Sequence, residues 1–245
     1  MALRSPGLPL PLKPTSKCPW QFFAAASSIV SSAFLPARKA FLLQKRTETP
    51  VISRPSGSLI VAAMADASSR GEDHQIGVLF VCLGNICRSP TAEAVFRYLV
   101  EKRELESQFC IDSAGTIDYH EGEPADARMK AAASKRGVKL MSISRPIRPS
   151  DFEEFDIILA MDRKNKEDIL KAHRHWSTTQ ALPPSSEKKV KLMCEYCKKF
   201  DVTEVPDPYY GGAAGFEKVL DLLEDACESL LDSLVSSTSS KKLSG

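Results

Sequence analysis

The sequence predicts an α/β fold: three layers, with helices on both faces of a four-stranded parallel sheet and a functional loop directly after the first strand. Three observations carry this expectation. Short uninterrupted apolar runs, which mark strands buried on both faces, alternate with segments of helical periodicity across residues 75–234. That alternation builds parallel sheets with right-handed crossovers. A cysteine, Cys82, ends the first apolar run, and in such sheets ligands bind outside the carboxyl ends of the strands.

The elements follow in order. Ile76 to Cys82 (IGVLFVC) is the first strand. A loop with Gly84 and Asn85 leads to Ser89-Pro90, and proline suits a first helical position. Ala92, Val95, Phe96, Leu99 and Val100 then recur at the spacing of a helix with one buried face. Phe109 to Ser113 reads as the second strand. Pro124 is expected to open a helix that runs through Arg136, with Gly137 closing it as the residue after the cap. Phe155 to Met161 (FDIILAM) is the third strand, followed by a charged helix to about Lys171. Val190 to Met193 is a short fourth strand. Phe216, Val219, Leu220, Leu223, Cys227, Leu230 and Leu234 stripe the final helix, and residues 235–245 read as a flexible polar tail.

The chain of 245 residues is long enough to bury a real core. Its 43% hydrophobic and 26% charged content excludes collagen-like and wholly disordered classes. No run of about 18 uncharged apolar residues is present, so no membrane span and no membrane partner are expected. The formal charge of +2 is unevenly spread. Residues 1–64 carry eight Arg/Lys against the single acid Glu48, and the rest is net acidic, a poor match to nucleic acid.

That arm also holds eight prolines, which exclude a long helix or central strand. Residues 1–64 read as a plastid transit peptide, with cleavage near Ala62 in Ile60-Val61-Ala62-Ala63, and residues 65–74 as a linker. Chloroplast is the expected address; mitochondrion or cytoplasm would fit less well. A secretory signal on Phe22 to Leu35 is disfavoured by its four serines and its depth in the chain. Met64 could also be the true start. The seven cysteines are odd in number and irregular in spacing, which fits reduced thiols rather than a disulfide scaffold.

The chemistry concentrates in Cys82-Leu83-Gly84-Asn85-Ile86-Cys87-Arg88-Ser89. A loop between a buried strand and a helix start converges its backbone N–H groups on one point, a nest for a phosphate-sized anion. The same field favours a thiolate at Cys82. Arg88 can grip two phosphate oxygens with its planar fork. A thiolate beneath a phosphate, braced by arginine, is suited to phosphoryl transfer through a cysteinyl-phosphate. Neither a GxxxxGK[ST] nor a GxGxxG motif occurs, so nucleotide sites are not indicated.

The segment VCLGNICRSP, taken with Asp207-Pro208-Tyr209-Tyr210, resembles the low-molecular-weight protein tyrosine phosphatases. Asp112-Ser113-Ala114-Gly115-Thr116 and Met161-Asp162 extend the match over roughly residues 75–233. The resemblance implies Cys82 as nucleophile, Arg88 as phosphate clamp and Asp207 as general acid, then base. It implies that Asn85 and Ser113 shape the loop and that Ser89 donates to the Cys82 thiolate. Leu83, Tyr119, Tyr209 and Tyr210 would wall an aromatic slot, and Gly84 and Ile86 complete the loop. Cys87 would form a protective disulfide with Cys82. Asp162 is expected to anchor a loop or Arg88. The lesser alternatives from the residues alone are Ser89 as a helix N-cap, Asp207 as a turn residue, and Cys87, Tyr209 and Tyr210 as packing groups.

The expected function is therefore a metal-independent, cofactor-free phosphatase acting on tyrosine-phosphorylated proteins and small aryl phosphates, as a monomer or weak dimer. The nearest rival is a phosphoarginine phosphatase on the same fold. In the resemblance, Ile at position 86 suits phosphotyrosine, whereas Thr would suit phosphoarginine. An arsenate reductase or an inactive phosphoprotein-binding module could also carry such a loop. The first is disfavoured by Asp207-Pro208-Tyr209-Tyr210, the second because Cys82, Arg88 and Asp207 are all present. Cys194-Glu195-Tyr196-Cys197 is a C-x-x-C pair that could serve zinc, with His173 and His175 upstream, or redox chemistry.

Overall fold

The computed structural model describes residues 75–180 and 182–243. The arm, the linker and the processing site lie outside the described residues.

Four strands form one parallel sheet in the order β2-β1-β3-β4. They are β1 (Ile76–Cys82), β2 (Phe109–Gly115), β3 (Ile157–Ala160) and β4 (Val190–Leu192). The helices are α1 (Arg88–Lys102), α2 (Ala127–Lys135), α3 (Asp151–Glu154), α4 (Arg163–Ser177) and α5 (Ala213–Leu243). β1 is central, pairing with β2 from Ile76↔Phe109 to Cys82↔Gly115 and with β3 from Val78↔Ile157 to Val81↔Ala160. Its apolar run is unbroken because both faces are covered. Val78 and Phe80 join a core with α1, α2 and α5. Leu79 and Val81 join a second core with α3 and α4. On the first face the rings of Phe80, Phe96 and Phe109 follow one another at 5.7 and 5.6 Å.

Several boundaries differ from the sequence expectation. α1 begins at Arg88, so Pro90 is its third residue, still within the turn whose N–H groups lack helical partners. α2 begins at Ala127, not Pro124. Asp126 caps it by accepting from the Arg128 N–H at 2.8 Å, and Pro124 instead forms an isolated bridge with Ile143. Gly137 does close the helix: at φ 77° it donates to Ser134 O, while Val138 donates to Ala133 O. β3 is shorter at its start, where the Asp156 carboxylate takes the Gly77 N–H at 2.8 Å. β4 stops at Leu192 because Met193 enters a 3₁₀ turn, Met193–Tyr196. α4 continues past Lys171, carrying buried His173 and half-buried Trp176 against Phe152. The last helix also outruns its apolar stripe: residues expected in a flexible tail continue α5 to Leu243. Among the described residues no helix is long and apolar enough to cross a membrane.

Candidate active site

Cys82 ends β1 and Arg88 opens α1, so residues 83–87 must reverse the chain in five steps. Asn85 makes that reversal in the left-handed region, at φ 52°, a conformation asparagine tolerates better than most residues. Gly84 lets the His120 ring close over the loop: a Cβ there would meet that ring at 2.9 Å.

The underside of the loop is held by a polar chain. Asn85 Nδ2 donates to Ser89 Oγ and to Ser113 Oγ, both at 2.9 Å, and Asn85 Oδ1 accepts from the Arg145 N–H at 3.0 Å. Ser113 Oγ donates to the buried carboxylate of Glu93 at 2.7 Å. Ser89 Oγ lies 3.1 Å from Cys82 Sγ. Cys87, not Ser89, occupies the N-cap of α1, and no side chain caps that helix. The capping alternative for Ser89 therefore does not hold.

Arg88 is 3% exposed. Its Nη1 donates to Asp162 at 2.5 Å and to Val205 O at 3.2 Å, and its Nη2 donates to Asp207 at 3.0 Å. Burial alone would depress the guanidinium, but Cys82, Asp162 and Asp207 outweigh it and hold Arg88 above its ordinary value. Asp162 also caps α4 through the Asn165 N–H. Burial first, then Asp126 and Cys82, push the Cys87 thiol up to about 12.

Above the loop, Cys82, Cys87, Arg88 and Asp207 line one cavity of about 390 Å³. Leu83, Gly84, Ile86, Tyr119, Tyr209 and Tyr210 line it too. Asn85, Ser89 and Ser113 lie beneath and complete the set expected from sequence. Tyr209 and Tyr210 meet edge to face at 5.0 Å, and Tyr210 is 93% exposed. Sequence reasoning missed His120 and Ile117, which share this cavity, and Arg128, which stacks on Tyr209 and Phe216. It also missed Glu93 and Arg145, whose surrounding residues carry no spacing signal. A larger recess of about 620 Å³ runs along α1 past Arg97 and Lys139, with no cysteine in its lining.

Cys194 lies within the 3₁₀ turn and Cys197 directly follows it, and the upstream histidines do not join them. His173 packs on the other sheet face against Phe152 and meets Ser186 Oγ at 2.7 Å, and His175 is exposed. Among the described residues no three His, Cys, Asp or Glu side chains gather as a metal site would require.

A buried thiol at a tight strand-to-helix loop, with an arginine and a carboxylate facing the same cavity, is an arrangement suited to phosphate-ester hydrolysis. The model of the low molecular weight phosphotyrosine protein phosphatase family matches residues 77–240. A Synechocystis protein that carries the family's name is 49% identical over 159 residues, which is 64% of this chain and 95% of that protein. The crystal structure of a protein tyrosine phosphatase from Entamoeba histolytica is 45% identical with a TM-score of 0.61, covering 67% of this chain and 99% of that one. A Drosophila arginine phosphatase structure is 34% identical with a TM-score of 0.57, covering 64% and 96%. The chain belongs to the low molecular weight phosphotyrosine protein phosphatase family and has its protein-tyrosine-phosphatase activity.

Proposed function

We propose that Cys82, Arg88 and Asp207 carry the hydrolysis of phosphotyrosine in proteins and of small aryl phosphates. The supporting observation is the 3.0 Å contact between Arg88 and Asp207, side chains 119 residues apart that meet at the cavity holding Cys82. A bound phosphate takes over the Arg88 Nη2 donor and turns Asp207 toward the leaving oxygen. The Cys82 thiolate attacks phosphorus in line, the loop N–H groups and Arg88 carry the equatorial oxygens, and Asp207 protonates the departing phenolate. Asp207 then takes a proton from water as it attacks the cysteinyl-phosphate, releasing phosphate and restoring Cys82. Leu83, Tyr119 and Tyr209 supply flat apolar walls for an aryl ring.

Ile86 adds bulk without a hydroxyl at the loop and favours phosphotyrosine over phosphoarginine. The test is kcat/KM on matched phosphotyrosine and phosphoarginine peptides beside p-nitrophenyl phosphate. Phosphotyrosine should lead, and Ile86→Thr should narrow the gap. A wild-type preference for phosphoarginine would overturn the assignment.

Cys87 shares the cavity with Cys82 and fits a resolving thiol that captures oxidised Cys82 as a disulfide. A monomer or weak dimer suffices, since one chain supplies every residue named. The basic, proline-rich arm fits plastid import, and residues 1–62 fused to a fluorescent protein should enter plastids. Secretory or diffuse cytosolic fluorescence would contradict that.

A further inference from the structure

We propose that Cys194 and Cys197 form a redox-active dithiol, a thiol–disulfide exchange site separate from the phosphatase site, whose partners are disulfide-bearing oxidants. The geometry is local. The 3₁₀ turn between them eclipses residues three apart, and the Cys197 N–H donates to Cys194 O at 3.2 Å. Three residues of 3₁₀ rise separate their Cα atoms by about 6 Å, within disulfide range. The pair therefore closes with little backbone movement.

The two thiols differ as an attacking and a resolving thiol should. Cys194 is 7% exposed, whereas Cys197 is half-buried and lines a recess of about 380 Å³ against α5. Cys194 beside it lowers the Cys197 pKa, while Cys197 and burial raise that of Cys194. Exposure thus makes Cys197 the reachable attacking thiol and Cys194 the enclosed resolving one. The third nearby thiol, Cys227, is fully buried, is pushed up by that burial, and donates to Ala92 O at 3.6 Å.

The exchange balances with a small-molecule disulfide such as oxidised glutathione. The Cys197 thiolate attacks one sulfur, the oxidant's S–S bond breaks, and the first glutathione leaves and takes up the proton Cys197 had lost. Cys194 then gives up its proton and attacks the Cys197 sulfur. The mixed disulfide breaks, and the second glutathione leaves with that proton. Two cysteine thiols lose two electrons, and one glutathione disulfide becomes two glutathione thiols. The bond fixes the start of a strap that Asp225 holds at the Lys198 and Lys199 N–H groups, 2.9 and 2.8 Å away, and that leads on to Asp207.

One tryptic digest reads both dithiols, because residues 192–198 hold Cys194 and Cys197 while residues 71–88 hold Cys82 and Cys87. The full chain is equilibrated across a series of reduced to oxidised glutathione ratios, acid-quenched, alkylated and digested. Peptide 192–198 should lose two hydrogens at a ratio that leaves 71–88 reduced, and should do so equally in Cys82→Ser. Cys197→Ser should slow reaction with the oxidant about tenfold. Cys194→Ser should stop at a stable mixed disulfide on Cys197. Both variants should match wild type in thermal melting and in p-nitrophenyl phosphate turnover under reductant, showing an intact fold. The proposal is overturned if 192–198 stays fully alkylated where 71–88 is oxidised, if Cys197 pairs with Cys227, or if the two variants behave alike.

Discussion

Asn85 directs two protons at once. Its amide hydrogens go to Ser89 and Ser113, so each hydroxyl has accepted a bond and keeps its own proton to donate. Ser113 donates to Glu93, leaving Ser89 to serve Cys82 Sγ at 3.1 Å or Ala114 O at 3.2 Å. A hydrogen bond to a thiolate stabilises it by about 1.5 kcal/mol, which is roughly tenfold in rate. Ser89→Ala should therefore lower kcat for p-nitrophenyl phosphate about tenfold and slow iodoacetate alkylation at Cys82, at a stability cost of about 1–3 kcal/mol for the Asn85 donor left unpaired. Wild-type kcat in that variant would leave Ser89 with no part in the chemistry. At this scale the sequence is partly legible. A glycine, an asparagine and Ser-Pro between strand and helix mark a special loop, but nothing in it announces which hydroxyl faces sulfur and which faces Glu93.

At the scale of elements, the loop depends on a clamp at some distance in sequence. Arg145 reaches Asp112 on β2 at 3.0 Å and grips both oxygens of Asp151 on α3 at 3.0 Å, while its own N–H holds Asn85. Burial would depress this guanidinium and does push Asp151 up; the charge pairing outweighs burial for Arg145, which lies above its ordinary value. Removing one partner of a buried pair strands the other charge. Asp151→Asn should thus cost about 3 kcal/mol, seen as a lower urea midpoint, and should weaken phosphate binding through Asn85. Unchanged stability would mean Asp112 alone satisfies Arg145.

The elements themselves are more legible than their ends. β1 is readable because an unbroken apolar run with Cys82 at its end has little other explanation. The start of α2 is obscured because Pro124 is a strong signal in isolation, whereas Asp126 supplies the acceptor that an N-terminus needs. α5 outruns its stripe because helical hydrogen bonding continues where no apolar face is required.

Across the whole molecule, the two cores lock one sheet edge-on beneath the site. Cys82, Arg88 and Ser113 are then fixed by β1, α1 and β2, while Asp207 arrives on a strap anchored at Val205, whose N–H donates to Met161 O at 2.8 Å and whose carbonyl accepts from Arg88. Composition foretells none of this. The carboxyl-end rule for parallel sheets locates the site, and the distant Asp207-Pro208-Tyr209-Tyr210 brings a carboxylate to the same cavity. His120 escapes notice because a lone histidine in a polar loop looks like solvent-facing surface until Gly84 is seen beneath its ring.

In the proposed mechanism the phosphoryl group passes through the Cys82 sulfur. Rapid quenching of Asp207→Ala during turnover of p-nitrophenyl phosphate tests it most directly, because that leaving group needs little protonation while the hydrolysis step has lost its base. Digestion and mass spectrometry should find one phosphate per chain in peptide 71–88, carried on Cys82 and absent from Cys82→Ser, which should be inactive yet still bind phosphate. Phosphate on Cys87 or any other residue, or turnover by Cys82→Ser, would contradict the account.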